Sequence, residues 1–159
     1  MELLCGWIFR IFSYAAFGLC LEIFFTAIAQ LVDGIITAED RRLRGTVSLY
    51  MIPVYGLLMF LCFEPMFRLL EWAQVAWYVR IGIYAIGISG MEALCGWIYD
   101  KVFHVMPWDY SQCRDKVFAR GYTRWSYVPL WGVAGLVLEQ YVTFVRELSP
   151  YVYQALMIR

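Results

Sequence analysis

The amino-acid sequence predicts an all-α integral membrane protein whose four transmembrane helices are arranged as two repeated hairpins. Composition is the first observation: 62% of the residues are hydrophobic and only 16% charged, with a mean hydropathy of +0.61. Soluble domains are about 45–50% apolar and about 25% charged. The second is the set of four long apolar stretches in a chain of 159 residues. A span needs about 20 residues to cross a hydrocarbon core of about 30 Å. The third is a motif that returns: Trp7-x-x-Arg10-Ile11-x-x-Tyr14-Ala15 leading to Glu22, then Trp77-x-x-Arg80-Ile81-x-x-Tyr84-Ala85 leading to Glu92.

The first span is expected over about Ile8–Val32. It follows Glu2 instead of a basic segment and carries Arg10 and Glu22, so it reads as a retained helix and not as a cleaved signal. Neither end shows a lipidation motif. Along this span Tyr14, Gly18, Glu22, Thr26 and Gln30 recur every four residues, which lines them along one helical stripe. The second span is expected over Val47–Leu70, the third over Trp77–Tyr99 and the fourth over Trp125–Val145. All four are helices, because open sheet edges cannot face lipid and the runs lack the two-residue alternation of a membrane barrel.

Connections set the orientation. Asp33–Thr46 holds Arg41, Arg42 and Arg44; Asp100–Arg124 holds Lys101, Arg114, Lys116, Arg120 and Arg124, together eight of the thirteen basic residues. The positive-inside rule puts both loops in the cytoplasm and both termini outside, in a cytoplasmic (inner) membrane. Within the longer loop, Pro107-Trp108-Asp109-Tyr110-Ser111 combines turn formers with interfacial aromatics. Asp109 or Ser111 is a candidate helix cap, and a short interfacial helix is expected over Lys116–Gly121.

The repeat extends to the second arm of each hairpin. Arg44-Gly45 and Pro53-x-Tyr55-Gly56 return as Arg120-Gly121 and Pro129-x-Trp131-Gly132, with Glu64 and Glu139 eleven and ten residues after their prolines. One four-helix domain is expected over 1–159, with halves at about 1–72 and 73–159. Two spans return a chain to its starting side, so the halves share orientation and relate by a pseudo-two-fold axis along the membrane normal. A competing local match, Met1–Ile8 with Met91–Ile98, would pair opposite membrane faces and is read as coincidence or a local copy.

Function classes narrow quickly. The formal net charge is zero and there is no long basic run, which argues against nucleic acid as a partner. There is no room for a nucleotide-binding domain. The five cysteines, mostly inside apolar runs, fit neither a disulfide framework nor a zinc cluster. Four buried glutamates invite a di-iron reading, but no Glu-x-x-His pair exists, and the lone His104 reads as an interfacial residue, so no metal and no cofactor is expected. No catalytic motif is present and no catalytic residue is assigned.

Charges inside spans carry the functional question. Glu22, Glu64, Glu92 and Glu139 lie one per helix, and a carboxylate at mid-bilayer costs at least about 2.5 kcal/mol, so each must face the interior, pair or stay protonated. Arg10 and Arg80 share the outer layer with Glu64 and Glu139, and ion pairs among these four are expected, within or across halves. Glu22 and Glu92 lie near mid-span without an evident basic partner. With Tyr14, Tyr84 and Thr26 they are the candidates for binding a substrate or proton. The alternative is structural: buried polar groups hold helices in register through interhelical hydrogen bonds of about 1 kcal/mol each.

At Pro107-Trp108-Asp109-Tyr110-Ser111, with Gly18-x-x-x-Glu22-x-x-Phe25-Thr26 and Glu139-Gln140, the chain resembles the transmembrane protein 229 family, grouped with CmpB-like type IV ABC-transporter proteins. Tyr55-Gly56 with Glu64, and Arg80 and Tyr84 with Glu92, match as well, while the charged stretch after Ser111 departs from the pattern. The resemblance implies a small polytopic membrane protein with a transport partner that carries the ATPase. The leading reading is therefore a transport-related membrane protein with a buried glutamate site at the repeat interface, acting as a homo-oligomer or with a membrane partner subunit. A structural or regulatory subunit of a larger membrane complex, docking through Gly82, Gly87 and Gly90, is the second. A lipid-headgroup enzyme using Asp109 or Glu22 with Trp108 is the third.

Overall fold

The computed structural model describes residues 2–34, 43–111 and 116–157. Four helices in it are long and apolar enough to cross a membrane. They are α1 (Glu2–Val32), α2 (Met51–Trp72), α3 (Trp77–Phe103) and α4 (Tyr127–Met157). Arg41, Arg42, Cys113 and Arg114 fall outside the described residues.

Helix α1 starts six residues before the expected Ile8, because the Glu2-Leu3-Leu4-Cys5 segment winds as well as the apolar run does and Glu2 complements the positive end of the helix dipole. It stops at Gly34, whose φ of +71° is the left-handed conformation that ends helices. Gly45 and Thr46 cross over α1. A Cβ at Gly45 would sit 1.8 Å from the Ile23 carbonyl oxygen, so only glycine permits this backbone contact. Thr26 secures the crossing: its hydroxyl donates to the Thr46 carbonyl at 2.9 Å and accepts from the Thr46 N–H at 2.9 Å. Those bonds hold Gly45–Ser48 out of the helix, and α2 begins at Met51 instead of Val47.

Pro53 is the third residue of α2 and Pro129 the third of α4, first-turn positions where a missing N–H costs nothing. After Pro53 the two helices differ. Val54–Phe63 winds as a π-helix, with the Glu64 N–H bonded to the Met59 carbonyl five residues back, before Glu64–Trp72 returns to α geometry. The wider winding carries the additional residue that separates Pro53 from Glu64. Helix α2 closes through the Val75 N–H to the Leu70 carbonyl (3.1 Å) and the Gln74 N–H to the Glu71 carbonyl (3.0 Å), with Gln74 left-handed. His104, past the end of α3 as expected, adopts the same left-handed conformation (φ 55°) and terminates that helix. Helix α4 runs on beyond the expected Val145, through Pro150.

Between α3 and α4 the structure corrects the expectation of a helix over Lys116–Gly121. Val117–Phe118 (β1) pairs antiparallel with Thr123–Arg124 (β2), in the register Val117 to Arg124 and Phe118 to Thr123. Ala119, Arg120 and Gly121 all have positive φ (50°, 59° and 89°), which no right-handed helix can contain. The Phe118 and Trp125 rings meet across the hairpin, tilted by 32° with centres 4.5 Å apart. Asp109 does not cap a helix either: its Oδ1 accepts from the Ser111 N–H at 2.8 Å, closing an Asx turn.

The chain divides into two compact units, Met1–Pro65 with Tyr141–Arg159, and Met66–Gln140. The first has a core of Tyr14, Ala15, Met59, Phe63, Val142 and Val145. The second has a core of Phe67, Leu70, Tyr84, Ala85, Tyr99 and Tyr127.

Candidate functional site: buried carboxylates in each unit

In the first unit Gly56 brings α2 onto α1, where a Cβ would meet the Ile11 carbonyl oxygen at 3.1 Å. This close approach carries Glu64, 3% exposed, to the side chains that α1 presents one turn apart. Arg10 Nη1 pairs with Glu64 Oε1, and the Tyr14 hydroxyl donates to Oε2 at 2.8 Å. Arg10 also donates to the Gly6 carbonyl (3.3 Å) and lies over the Phe60 ring at 4.8 Å. Both carboxylate oxygens are thereby satisfied, which is what burying a charge requires. Two turns further along α1, Glu22 accepts from the Tyr55 hydroxyl, while the Tyr55 ring fills the space over Gly18, where a Cβ would lie 2.4 Å from its Cγ. The second oxygen of Glu22, Oε2, is buried with no hydrogen-bond partner among the described residues.

In the second unit Gly132 brings α4 onto α3, with a Cβ position 2.9 Å from the Ile81 carbonyl oxygen. Arg80 Nη1 pairs with Glu139 Oε1, and the Tyr84 hydroxyl donates to Oε2 at 2.7 Å. Tyr84 is completely buried, edge-on to Phe67 at 5.2 Å. Glu92 has a fuller set of neighbours than Glu22. The Tyr110 hydroxyl donates to its Oε1 at 3.0 Å and the Trp131 Nε1–H to its Oε2 at 3.1 Å. Thr123, with no exposure, stands beside it, and Arg124 acts on it electrostatically. Arg124 is itself only 4% exposed, its guanidinium 3.9 Å from the centre of the Tyr127 ring.

The sequence candidates thus separate by partner. Tyr14 and Tyr84 go to Glu64 and Glu139, not to Glu22 and Glu92. Thr26 is occupied by the backbone of Thr46. The Pro107–Ser111 segment fastens the third connection: Trp108 Nε1–H donates to the Tyr122 carbonyl at 2.8 Å, and the Tyr110 N–H to the Gly121 carbonyl at 3.0 Å. Pro107 is half-buried beside Trp108 in the chain. Asp100 accepts the Tyr122 hydroxyl at 2.6 Å, and that carboxylate pushes the Tyr122 phenol above its ordinary value. Sequence reasoning missed Tyr55, Tyr110, Trp131 and Arg124 as partners of the mid-span acids. Tyr55 and Trp131 did carry a signal, since each stands two residues after the proline of its helix.

Four apolar spans with buried, compensated carboxylates define an integral membrane protein. Residues 7–158 match the family described as "Putative ABC-transporter type IV", and the chain belongs to that family. No curated protein and no solved structure matches the chain.

Proposed function

We propose that this protein is the membrane-embedded component of a transport system, built from two repeats of a two-helix hairpin, in which Glu22 and Glu92 bind the transported substrate or relay protons. The description of the family supports transport. One observation carries the division of labour among the acids. Glu64 and Glu139 are each ion-paired with an arginine and hydrogen-bonded by a tyrosine, whereas among the described residues the hydrogen bonds given to Glu22 and Glu92 come from uncharged donors, with Arg124 acting on Glu92 electrostatically. The first pair clasps helices; in the second, Glu22 keeps one oxygen, Oε2, free among the described residues, and Glu92 holds both oxygens on uncharged donors.

The repeat reading is supported by like contacts in each unit. Arg10, Tyr14 and Glu64 have the contacts of Arg80, Tyr84 and Glu139, and Tyr55 serves Glu22 as Trp131 serves Glu92. A pseudo-two-fold axis along the membrane normal and cytoplasmic placement of the Asp33–Thr46 and Asp100–Arg124 connections complete this reading, and the transmembrane protein 229 family is the narrower kinship it favours. A chain of this size works as a homo-oligomer or beside a partner subunit that hydrolyses ATP. The second reading is a structural or regulatory subunit. It is favoured by Gly82, Gly87 and Gly90, around which a Cβ would meet nothing within 4 Å, leaving α3 open to a partner helix.

Neutral substitution separates the two. In proteoliposomes, Glu22→Gln with Glu92→Gln is expected to preserve assembly and helix content while proton or ion flux falls at least tenfold. Wild-type flux in the double variant contradicts the transport reading, and lost assembly favours the structural one.

A further inference from the structure

We propose that the Glu92 pocket is a binding site for an organic cation of the quaternary ammonium class, and that Arg124 is its built-in occupant. The proposal rests on the reading of Glu92 as a binding group and names what it binds. Tyr127 supplies one wall, with the Arg124 guanidinium 3.9 Å from its ring centre. Tyr110 supplies another, 5.9 Å from the same guanidinium and 5.4 Å from Tyr127 at an interplanar angle of 84°. Trp131 stands edge-on to Tyr127 at 5.7 Å. The polar ends of two of these rings, the Tyr110 hydroxyl and the Trp131 Nε1–H, orient the Glu92 carboxylate. Aromatic faces set at right angles around a fixed carboxylate recognise a bulky, weakly hydrated cation through the ring quadrupoles and one counter-charge. A small metal ion would instead need several oxygen ligands, and no group of acidic, histidine or cysteine side chains suited to one occurs among the described residues.

The occupant arrives on a short element outside the four helices. Arg124 ends β2, which is held to β1 by only two residue pairs and follows a turn of three consecutive left-handed residues. A ladder of two pairs has fewer backbone bonds to break on local opening than the helices around it. Nor does the hairpin pattern demand an arginine here. Arg124 lies five residues before Pro129, and the residue five before Pro53 is Ser48. An internal cation weakens binding of an external one in proportion to the fraction of time it fills the site.

The test uses the full chain in phosphatidylglycerol nanodiscs, with tetramethylammonium as the probe. Arg124→Ser, which copies Ser48, is expected to bind tetramethylammonium at least tenfold more tightly than wild type, and adding Tyr127→Leu is expected to remove that gain. In the wild-type protein, saturating tetramethylammonium is expected to speed amide hydrogen exchange at Thr123–Trp125, and equal sodium is not. Repeating the titration with phosphatidylcholine in the disc separates the sources: competition identifies a lipid headgroup, and its absence a free cation. A folded Arg124→Ser protein that binds no more tightly than wild type overturns the proposal, as does unchanged exchange in the wild type, which decides the matter if the variant fails to fold. Binding without flux would sink the transport reading alone, and Glu92-dependent flux without the gain in Arg124→Ser would sink the cation site alone.

Discussion

Glu64 shows how a buried charge is made tolerable and what its partners are worth. Its two oxygens are divided between Arg10 and Tyr14, and the Arg10 and Glu64 side chains are 13% and 4% exposed. Removing one partner of such a pair strands the other, at a cost of about 3–5 kcal/mol, whereas replacing both with apolar groups of similar size is close to neutral. Arg10→Met is therefore expected to destabilise the protein by several kcal/mol. Arg10→Met with Glu64→Met should regain most of that loss. Tyr14→Phe, which deletes a single interhelical hydrogen bond, is expected to cost about 1 kcal/mol. Reversible unfolding in mixed micelles measures all three, and additive effects of the two methionine substitutions would contradict the pairing. This arrangement was partly legible in the sequence. Depth along the spans put the arginines level with the outer glutamates, but the tyrosines, grouped with Glu22 and Glu92 in the sequence, bond Glu64 and Glu139, because a four-residue stripe gives the face of a helix and not which carboxylate meets it.

Helix α2 differs from α4 at the scale of the element. Glu64 follows Pro53 by eleven residues and Glu139 follows Pro129 by ten, yet each glutamate reaches an arginine and a tyrosine. The π-helical winding of Val54–Phe63 absorbs the difference, since each turn of it holds more residues than an α turn. Deleting the exposed Leu57 is thus expected to leave a folded protein whose melting temperature stays within about 5 °C of wild type. Deleting the exposed Val133 from the α-helical α4 should rotate Glu139 by about 100° away from Arg80 and Tyr84 and lower stability sharply. Thermal scanning of helix content compares them, and equal tolerance would show that the winding carries no register. The unequal spacing was visible in the sequence; its accommodation was not, because hydropathy does not distinguish α from π winding. Nor was the β1–β2 hairpin, whose two-residue strands are shorter than any periodicity, while the extent of α4 past Val145 was obscured by Arg146 and Glu147, which continue the helix with polar residues.

Over the whole molecule, the four spans were the most legible feature, since hydrocarbon imposes length and apolarity on every crossing segment. The environment of Glu92 was the least legible. It is assembled from α3, the Pro107–Ser111 segment, β2 and α4, and no local pattern reports contacts made across that much chain. The proposed function rests on duplicated hairpins that shelter mid-span acids for use. A structure of the protein in lipid nanodiscs, at a resolution that shows ordered water and acyl chains, tests it most directly. The expected result is that the hairpin of Trp7–Glu22 and Arg44–Glu64 superposes on that of Trp77–Glu92 and Arg120–Glu139 by rotation about the bilayer normal, with water or ligand density at the Glu22 and Glu92 carboxyls. Acyl-chain density against those carboxyls, or hairpins that fail to superpose, would contradict it.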